Sequence, residues 1–281
     1  MMDAGNLHLR ELHPQSQQGC CADAIATLEG IDREAVDQLA VTSQVRAKRA
    51  MDEGRFDKSV IPVHNRDGSL ALDKDEFPRP GTTMESLSGL KTVFNMFWDV
   101  PVDDKGLTYG NMIEKKYPQI KGNVQHVHHA GNSSGVVDGA AAILVTSKEY
   151  AHKHGLKPRA RIVATCNMGD DPTLMLNAPV PAAKKVLEKA GMTTDDIDVY
   201  EINEAFSVVA EKFIRDLKLD REKVNINGGA MALGHPIGAT GSILIGTALD
   251  ELERSGGRYG LVTMCAAGGM APAIIIERLD A

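Results

Sequence analysis

The sequence predicts a mixed α/β protein: its second half is a layered sheet-and-helix domain and its first half is rich in helices and loops. Two observations predict this. After Lys157, short apolar runs alternate with amphipathic stretches, and Gly or Pro punctuates them, as in a sheet covered by helices. Before Lys157 the chain opens with a helical pattern and then becomes crowded with Asp, Pro, Gly and Lys. A length of 281 residues suffices for one large or two ordinary domains with a substantial core.

The elements follow in order. Residues Ala22 to Gly54 read as helical with a break at Gly30-Ile-Asp32, where Asp32 can cap the second helix and Gly54 can end it. Residues 55–125 read as loops and short helices, including Asp75-Glu-Phe-Pro-Arg-Pro-Gly81. The turn-rich Ala130-Gly-Asn-Ser-Ser-Gly135 leads into the apolar run Ala140 to Val145, a buried strand or the start of a helix. Arg161 to Ala164 reads as a strand and Pro181 to Ala190 as a helix, with Pro near its first turn and Gly191 past its last. Ile197 to Ile202 is a strand, Ala205 to Leu217 a helix, Val224 to Asn227 a short strand and Gly238 to Ser255 a helix. Gly260 to Cys265 and Ala273 to Arg278 are the last two strands. The order is β-α-β-α-β-α-β-β, which implies a mixed sheet.

Composition narrows the function classes. A net charge of −7 argues against nucleic acid or an anionic membrane as the main partner, though not against a small anionic ligand held by local groups. The four cysteines, Cys20, Cys21, Cys166 and Cys265, form no C-x-x-C pair and no disulfide framework, which fits a reducing, cytoplasmic setting. The start of the chain shows no signal peptide, and no apolar stretch reaches the ~18 residues of a membrane span.

Three polar residues carry the chemistry. Cys265 follows the apolar Gly260-Leu-Val-Thr-Met264 and precedes Ala266-Ala-Gly-Gly269, where a thiol at a strand end can exchange a proton or attack a carbonyl. A buried, inert cysteine remains the other reading. His235, in Gly234-His-Pro-Ile-Gly238, precedes a helix and can serve as base or as oxyanion donor. Asn203, in Asn203-Glu-Ala-Phe206, sits at a strand–helix junction, and a plain capping role is compatible with a catalytic one. All three fall at or just beyond strand ends, where α/β sheets collect ligands. His126-Val-His-His129 and His152-Lys-His154 lack a companion carboxylate or cysteine at ligand spacing, so they read as loop or surface histidines and no metal is expected. The glycine turn at His235 has neither the P-loop nor the dinucleotide pattern.

Taken together, four motifs resemble the thiolase family, the acetyl-CoA C-acyltransferases: Asn203-Glu-Ala-Phe206, Asn227-Gly-Gly-Ala-Met-Ala-Leu-Gly-His-Pro-Ile-Gly-Ala-Thr-Gly241, Cys265-Ala-Ala-Gly-Gly269 and Ala130-Gly-Asn-Ser-Ser-Gly135. Gln18-Gly-Cys-Cys-Ala-Asp-Ala-Ile25 and Ser43-Gln-Val-Arg-Ala-Lys48 extend the resemblance toward the start of the chain. It implies a thiolase-like C-terminal domain at 157–281, an α-rich loop domain at 1–134 and, at 135–156, the tail of an N-terminal domain otherwise missing. The substrates it implies are a 3-ketoacyl-CoA plus CoA, or in reverse two acyl-CoA molecules, with no tightly bound cofactor. Cys265 would be the acid/base at the α-carbon. His235 would activate the nucleophilic thiol and donate to an oxyanion hole, and Asn203 would fix a water there. Coenzyme A would lie along Ser86, Ala130, Ser134 and Phe206, with Arg79 as a phosphate partner.

The family's acylated nucleophile, a second cysteine ahead of the loop domain, has no counterpart before Cys20. The expectations are therefore a clipped or split thiolase that needs a complementary N-terminal half, or a catalytically silent thiolase-like subunit; a ketoacyl-synthase-like enzyme lacks its second histidine. Homo-oligomerisation and an exposed apolar patch at 135–155 are expected. Ala267, where many members have glycine, points to fatty-acid β-oxidation.

Overall fold

The computed structural model describes residues 3–279. Helices α1 (Leu7–Leu12), α2 (Gln18–Leu28) and α3 (Arg33–Asp52) come first. A small hairpin, β1 (Val63–His64) with β2 (Leu70–Leu72), follows, then the short helices α4 (Met84–Ser88), α5 (Asn95–Trp98) and α6 (Tyr109–Lys116). Helix α7 (Lys148–Lys153) precedes the second half. That half comprises β3 (Ala160–Gly169), α8 (Pro179–Ala190), β4 (Val199–Ile202), α9 (Ser207–Leu217), α10 (Ala230–Leu233), α11 (Thr240–Ser255), β5 (Tyr259–Thr263) and β6 (Met270–Arg278).

The main sheet runs β3-β6-β5-β4. β6 pairs antiparallel with both β3 and β5, while β4 and β5 are parallel, so the sheet is mixed as expected. Alternation along β4 and β5 feeds two cores. Tyr200, Ile202 and Leu261 face the layer of α2, α8 and α9, whereas Val199 and Val262 pack with Leu244, Ala248 and Leu252 of α11. Burial on both faces explains why β4 reads as a continuous apolar run interrupted only by Glu201.

Helix α3 is started by Asp32, whose side chain accepts from Ala35 N, and the turn after it contains Gly54 at φ +67°. Buried carboxylates then fasten the loops of the first half. Asp23 on α2 accepts from Val127 N and His128 N at 3.1 Å and lies 2.8 Å from Nδ1 of both His126 and His128. Asp37 on α3 gathers His129 Nε2, Asn132 Nδ2 and Arg33 Nε at 2.7–2.9 Å. Of the loop or surface histidines expected at 126–129, all lie in a loop but not all at the surface: His128 and His129 are buried, and carboxylates far away in sequence pair with them. Among the described residues, no group of three or more His, Cys, Asp or Glu could hold a metal ion.

Three further expectations change. Residues 140–145 form neither strand nor helix, and Leu144 and Val145 are 80% and 65% exposed, because no element among the described residues covers them. Residues 224–227 are not a strand. Val224 makes one bridge to Tyr200, and Asn225, at φ +46°, turns the chain away and pairs with Ile202 through its side chain. The hairpin β1–β2 falls in a stretch expected to hold only loops and short helices; Asp67-Gly68, with Gly68 at φ +86°, forms its turn.

Glu201 stands out in β4. Burial pushes its carboxyl well above the usual range, the carboxylates of Glu204 and Glu251 add to the shift, and its Oε1 has no hydrogen-bond partner among the described residues. The folded state therefore favours the neutral acid. That contribution is complete below the unfolded pKa near 4.5 and is lost as pH rises toward the folded value. Glu201→Gln should leave stability unchanged at pH 4 and raise it by about 1–3 kcal/mol at pH 8, measured by urea unfolding at both pH values.

Candidate active site

Asn203 begins where β4 ends. Its backbone N–H donates to Thr263 O of β5 at 3.1 Å, so the strand end carrying Asn203 is tied two residues upstream of Cys265. His235 arrives on the turn between α10 and α11, and its ring faces Asn203, with Nε2 3.4 Å from Asn203 Nδ2. Asn203 is fully buried, and its Oδ1 has no hydrogen-bond partner among the described residues.

The ring of His235 is oriented by a residue the sequence reading left without a role. Thr240 Oγ1 lies 2.7 Å from His235 Nδ1 and 3.2 Å from Pro236 O. A carbonyl only accepts, so the hydroxyl donates to Pro236 and accepts from Nδ1–H. That assigns the proton to Nδ1 and leaves a lone pair on Nε2, the atom facing Asn203. Burial lowers the His235 pKa and keeps the ring a neutral base. Thr240 is visible in sequence only as the fifth residue past His235, in the first turn of α11.

Segment 135–139 lies over the same turn. Gly135 O accepts from His235 N at 2.8 Å. At Gly234, held at φ +86°, an added Cβ would meet Val137 Cγ2 at 2.5 Å, so glycine alone permits the contact. Ser134 N donates to Ala205 O at 3.0 Å, and Ser133 pairs with Phe206 in an isolated antiparallel bridge. Phe206 is buried, edge-on to Phe94 and His128 at 5.4 and 5.7 Å between centroids. His235, Asn203, Ser134 and Phe206 thus converge.

Ser86, Ala130 and Arg79 are exposed outside this cluster. Ser86 completes the cap of α4 with Thr83, and α4 reaches the Ala130 turn through Leu87, which packs on Gly131. The backbone N of Arg79 donates to Gln44 of α3 at 2.8 Å.

Cys265 sits under the turn joining β5 to β6. Ala266 and Met270 exchange two backbone hydrogen bonds, and Asp170 N donates to Gly269 O at 2.7 Å. The thiol is 7% exposed, and burial pushes its pKa up to about 12, so it is held as the neutral thiol. The other cysteines are engaged elsewhere. Cys20 Sγ points at Phe94 O (3.6 Å), Cys21 Sγ at Thr173 O (3.2 Å) and Cys166 Sγ at Ala182 O (3.2 Å). Burial raises the pKa of each, so none has the character of an activated nucleophile.

This geometry offers a neutral imidazole lone pair, an amide beside it and a proton-bearing thiol, all around strand ends. Comparison with known proteins shows the family. The description of the thiolase N-terminal domain matches residues 3–97, and that of the thiolase C-terminal domain matches 156–278, which contains Asn203, His235 and Cys265. The chain belongs to the thiolase family. The β-ketoadipyl-CoA thiolase of Acinetobacter baylyi is 42% identical over 263 residues, covering 92% of this chain and 59% of the relative. The cytosolic acetyl-CoA acetyltransferase of Rattus norvegicus is 40% identical, with the same two coverages. The Bacillus anthracis acetyl-CoA acetyltransferase structure superposes with a TM-score of 0.78 at 35% identity, over 94% of this chain and 60% of that one. Human mitochondrial 3-ketoacyl-CoA thiolase in complex with CoA gives 0.76 at 34% identity, over 92% and 58%. This thiolase chain therefore spans 59% of the length of both curated relatives. Among its described residues, no helix is long and apolar enough to cross a membrane.

Two variants test the geometry. Thr240→Val should remove the partner of Nδ1 and mix the two neutral tautomers of His235, read from imidazole nitrogen chemical shifts. Gly269→Ala should destabilise the protein by about 2–4 kcal/mol in urea. The residue sits at φ +80°, and a Cβ there would approach Asp170 O to 2.7 Å.

Proposed function

We propose that this chain carries the proton-handling half of an acyl-CoA C-acyltransferase that cleaves a 3-ketoacyl-CoA with CoA, or runs the reverse condensation. The observation that carries the reading is the arrangement of His235 Nε2 beside Asn203, with the neutral thiol of Cys265 on the neighbouring strand end. Nε2 is a base able to accept the proton of an incoming thiol. Once protonated, it becomes a donor to a thioester oxygen, next to the Asn203 amide. Cleavage of a 3-ketoacyl-CoA releases an acyl-CoA enolate that needs a proton at carbon, and Cys265 holds one. A thiol kept neutral by burial suits the degradative direction, which supports a role in fatty-acid β-oxidation; the β-ketoadipyl-CoA specificity named for one relative supports thiolysis of other 3-ketoacyl chains equally well.

The nucleophilic thiol, in this reading, comes from outside the described residues, on further sequence or a companion chain, because Cys20, Cys21 and Cys166 are all occupied. Residues 1–134 then act as the loop domain against which CoA lies, 157–281 as the C-terminal domain, and 135–156 as the end of the nucleophile's domain. The exposed apolar residues Val136, Leu144 and Val145 are where that domain, or a second copy, would cover this chain. Ser86, Ala130, Ser134, Phe206 and Arg79 line the CoA path, and the cytoplasm is the compartment, as for the rat relative.

The test uses the chain itself in D2O with acetyl-CoA. Methyl protons should exchange above the buffer rate, and the rate should rise about tenfold per pH unit from 7 to 9, because only the thiolate of Cys265 removes a proton. Cys265→Ala should abolish exchange, and Asn203→Ala should cut it about 10²-fold. Folded protein that exchanges no faster than buffer would refute the proton-handling role.

A further inference from the structure

His235 and Asn203 face each other across 3.4 Å, yet they belong to different pieces of chain. Asn203 directly follows β4, while His235 rides on residues 225–239, a run of turns interrupted only by the four-residue α10. The bonds of His235 itself, to Thr240 and to Gly135, do not reach β4. The separation is set by other links.

Three side chains supply them. Asn225 accepts from Ile202 N and donates to Ile202 O, both at 2.9 Å, in place of the next strand. Its Nδ2 also donates to Glu204 Oε1 at 2.9 Å. Glu204 Oε2 accepts from Met231 N at 3.2 Å, inside α10, and from Ser43 Oγ at 2.7 Å. Ser43 Oγ in turn accepts from Gly229 N at 3.0 Å. One hydroxyl, in the middle of α3, thus bonds both Glu204, beside the strand end, and Gly229, on the histidine turn. The glycines show how tightly these pieces meet. A Cβ on Gly229 would lie 2.3 Å from the Glu204 carboxyl carbon, and one on Gly228 would lie 2.6 Å from Ser43 O.

We propose that Ser43 and Glu204 are positioning residues of this thiolase, and that their hydroxyl–carboxylate link sets the His235–Asn203 separation from helix α3. Glu204 is buried, and its two oxygens receive donors from three places, which fixes its rotamer. Ser43 is also buried, and its hydroxyl has to donate to a carboxylate and accept from an amide at once. Serine and threonine do both, and alanine does neither. Gln44, the next residue, adds a second tie from α3 by donating to Met231 O at 3.1 Å. The catalytic meaning of the separation rests on the function proposed above; the mechanical link does not.

The test compares the whole chain with Ser43→Ala and Ser43→Thr by NMR, following the His235 ring nitrogens, the Asn203 side-chain amide and the cross-peak between the two side chains. Ser43→Ala should remove the cross-peak and shift both sets of signals while the protein stays folded. Ser43→Thr should restore the original spectrum. Thr42→Ala, one residue away on the same helix, should change neither. If Ser43→Ala does not fold, Ser43→Cys keeps a side chain in place with a weak donor and should give the same loss. A folded Ser43→Ala or Ser43→Cys protein with an unaltered His235–Asn203 spectrum would overturn the proposal, as would a threonine variant that fails to rescue. Acetyl-CoA exchange absent from the unsubstituted chain, with this spectral pattern intact, would sink the function and leave the positioning link standing.

Discussion

A carboxylate taken out of water must collect hydrogen-bond donors, and the buried acids of this chain collect theirs from distant sequence. Asp23 draws residues 126–128 onto α2, Asp37 draws 129 and 132 onto α3, and Glu204 joins α3, Asn225 and α10. These contacts seat the loops of the first half on the helices and seat the helices on the sheet. The turn that presents Ser134 and the turn that presents His235 are both held this way. Packing of apolar residues supplies the bulk of stability, but it does not specify where a loop stops. The buried acids do.

The sequence reveals most where backbone chemistry is local. Asp32 caps α3, Gly191 in the left-handed region ends α8, and the alternation along β4 and β5 places them between two helical layers. His235, Asn203 and Cys265 stand out in the sequence because each sits beside glycine or at a strand end. What stayed hidden depends on partners far apart in the chain. Nothing near His128 in sequence shows that Asp23, more than a hundred residues earlier, lies within hydrogen-bond distance of its ring. Asn225 looks like a strand residue until its side chain is seen to replace the strand. Thr240 and Ser43 each carry an ordinary hydroxyl whose importance lies in what it faces.

Residues 140–145 misled for the opposite reason. An apolar run predicts burial, and burial needs a covering surface, which the described residues do not provide. Segment 135–139 just before it is ordered against Gly234 and His235. The boundary between the two is where the chain's own contacts end.

Burial of Cys265 also decides how this site meets oxidants. Peroxide attacks the thiolate, not the thiol. Raising the pKa from 9.0 to about 12 lowers the thiolate population near neutral pH about a thousandfold, and 7% exposure limits access further. In the proposed function, the thiol that hands over the carbon-bound proton is therefore protected from sulfenic acid formation by the same desolvation that keeps it protonated. In the same proposal, redox sensitivity falls to the attacking thiol, which the reaction needs ionised and within reach. Proton transfer and oxidative damage then fall to two different sulfurs.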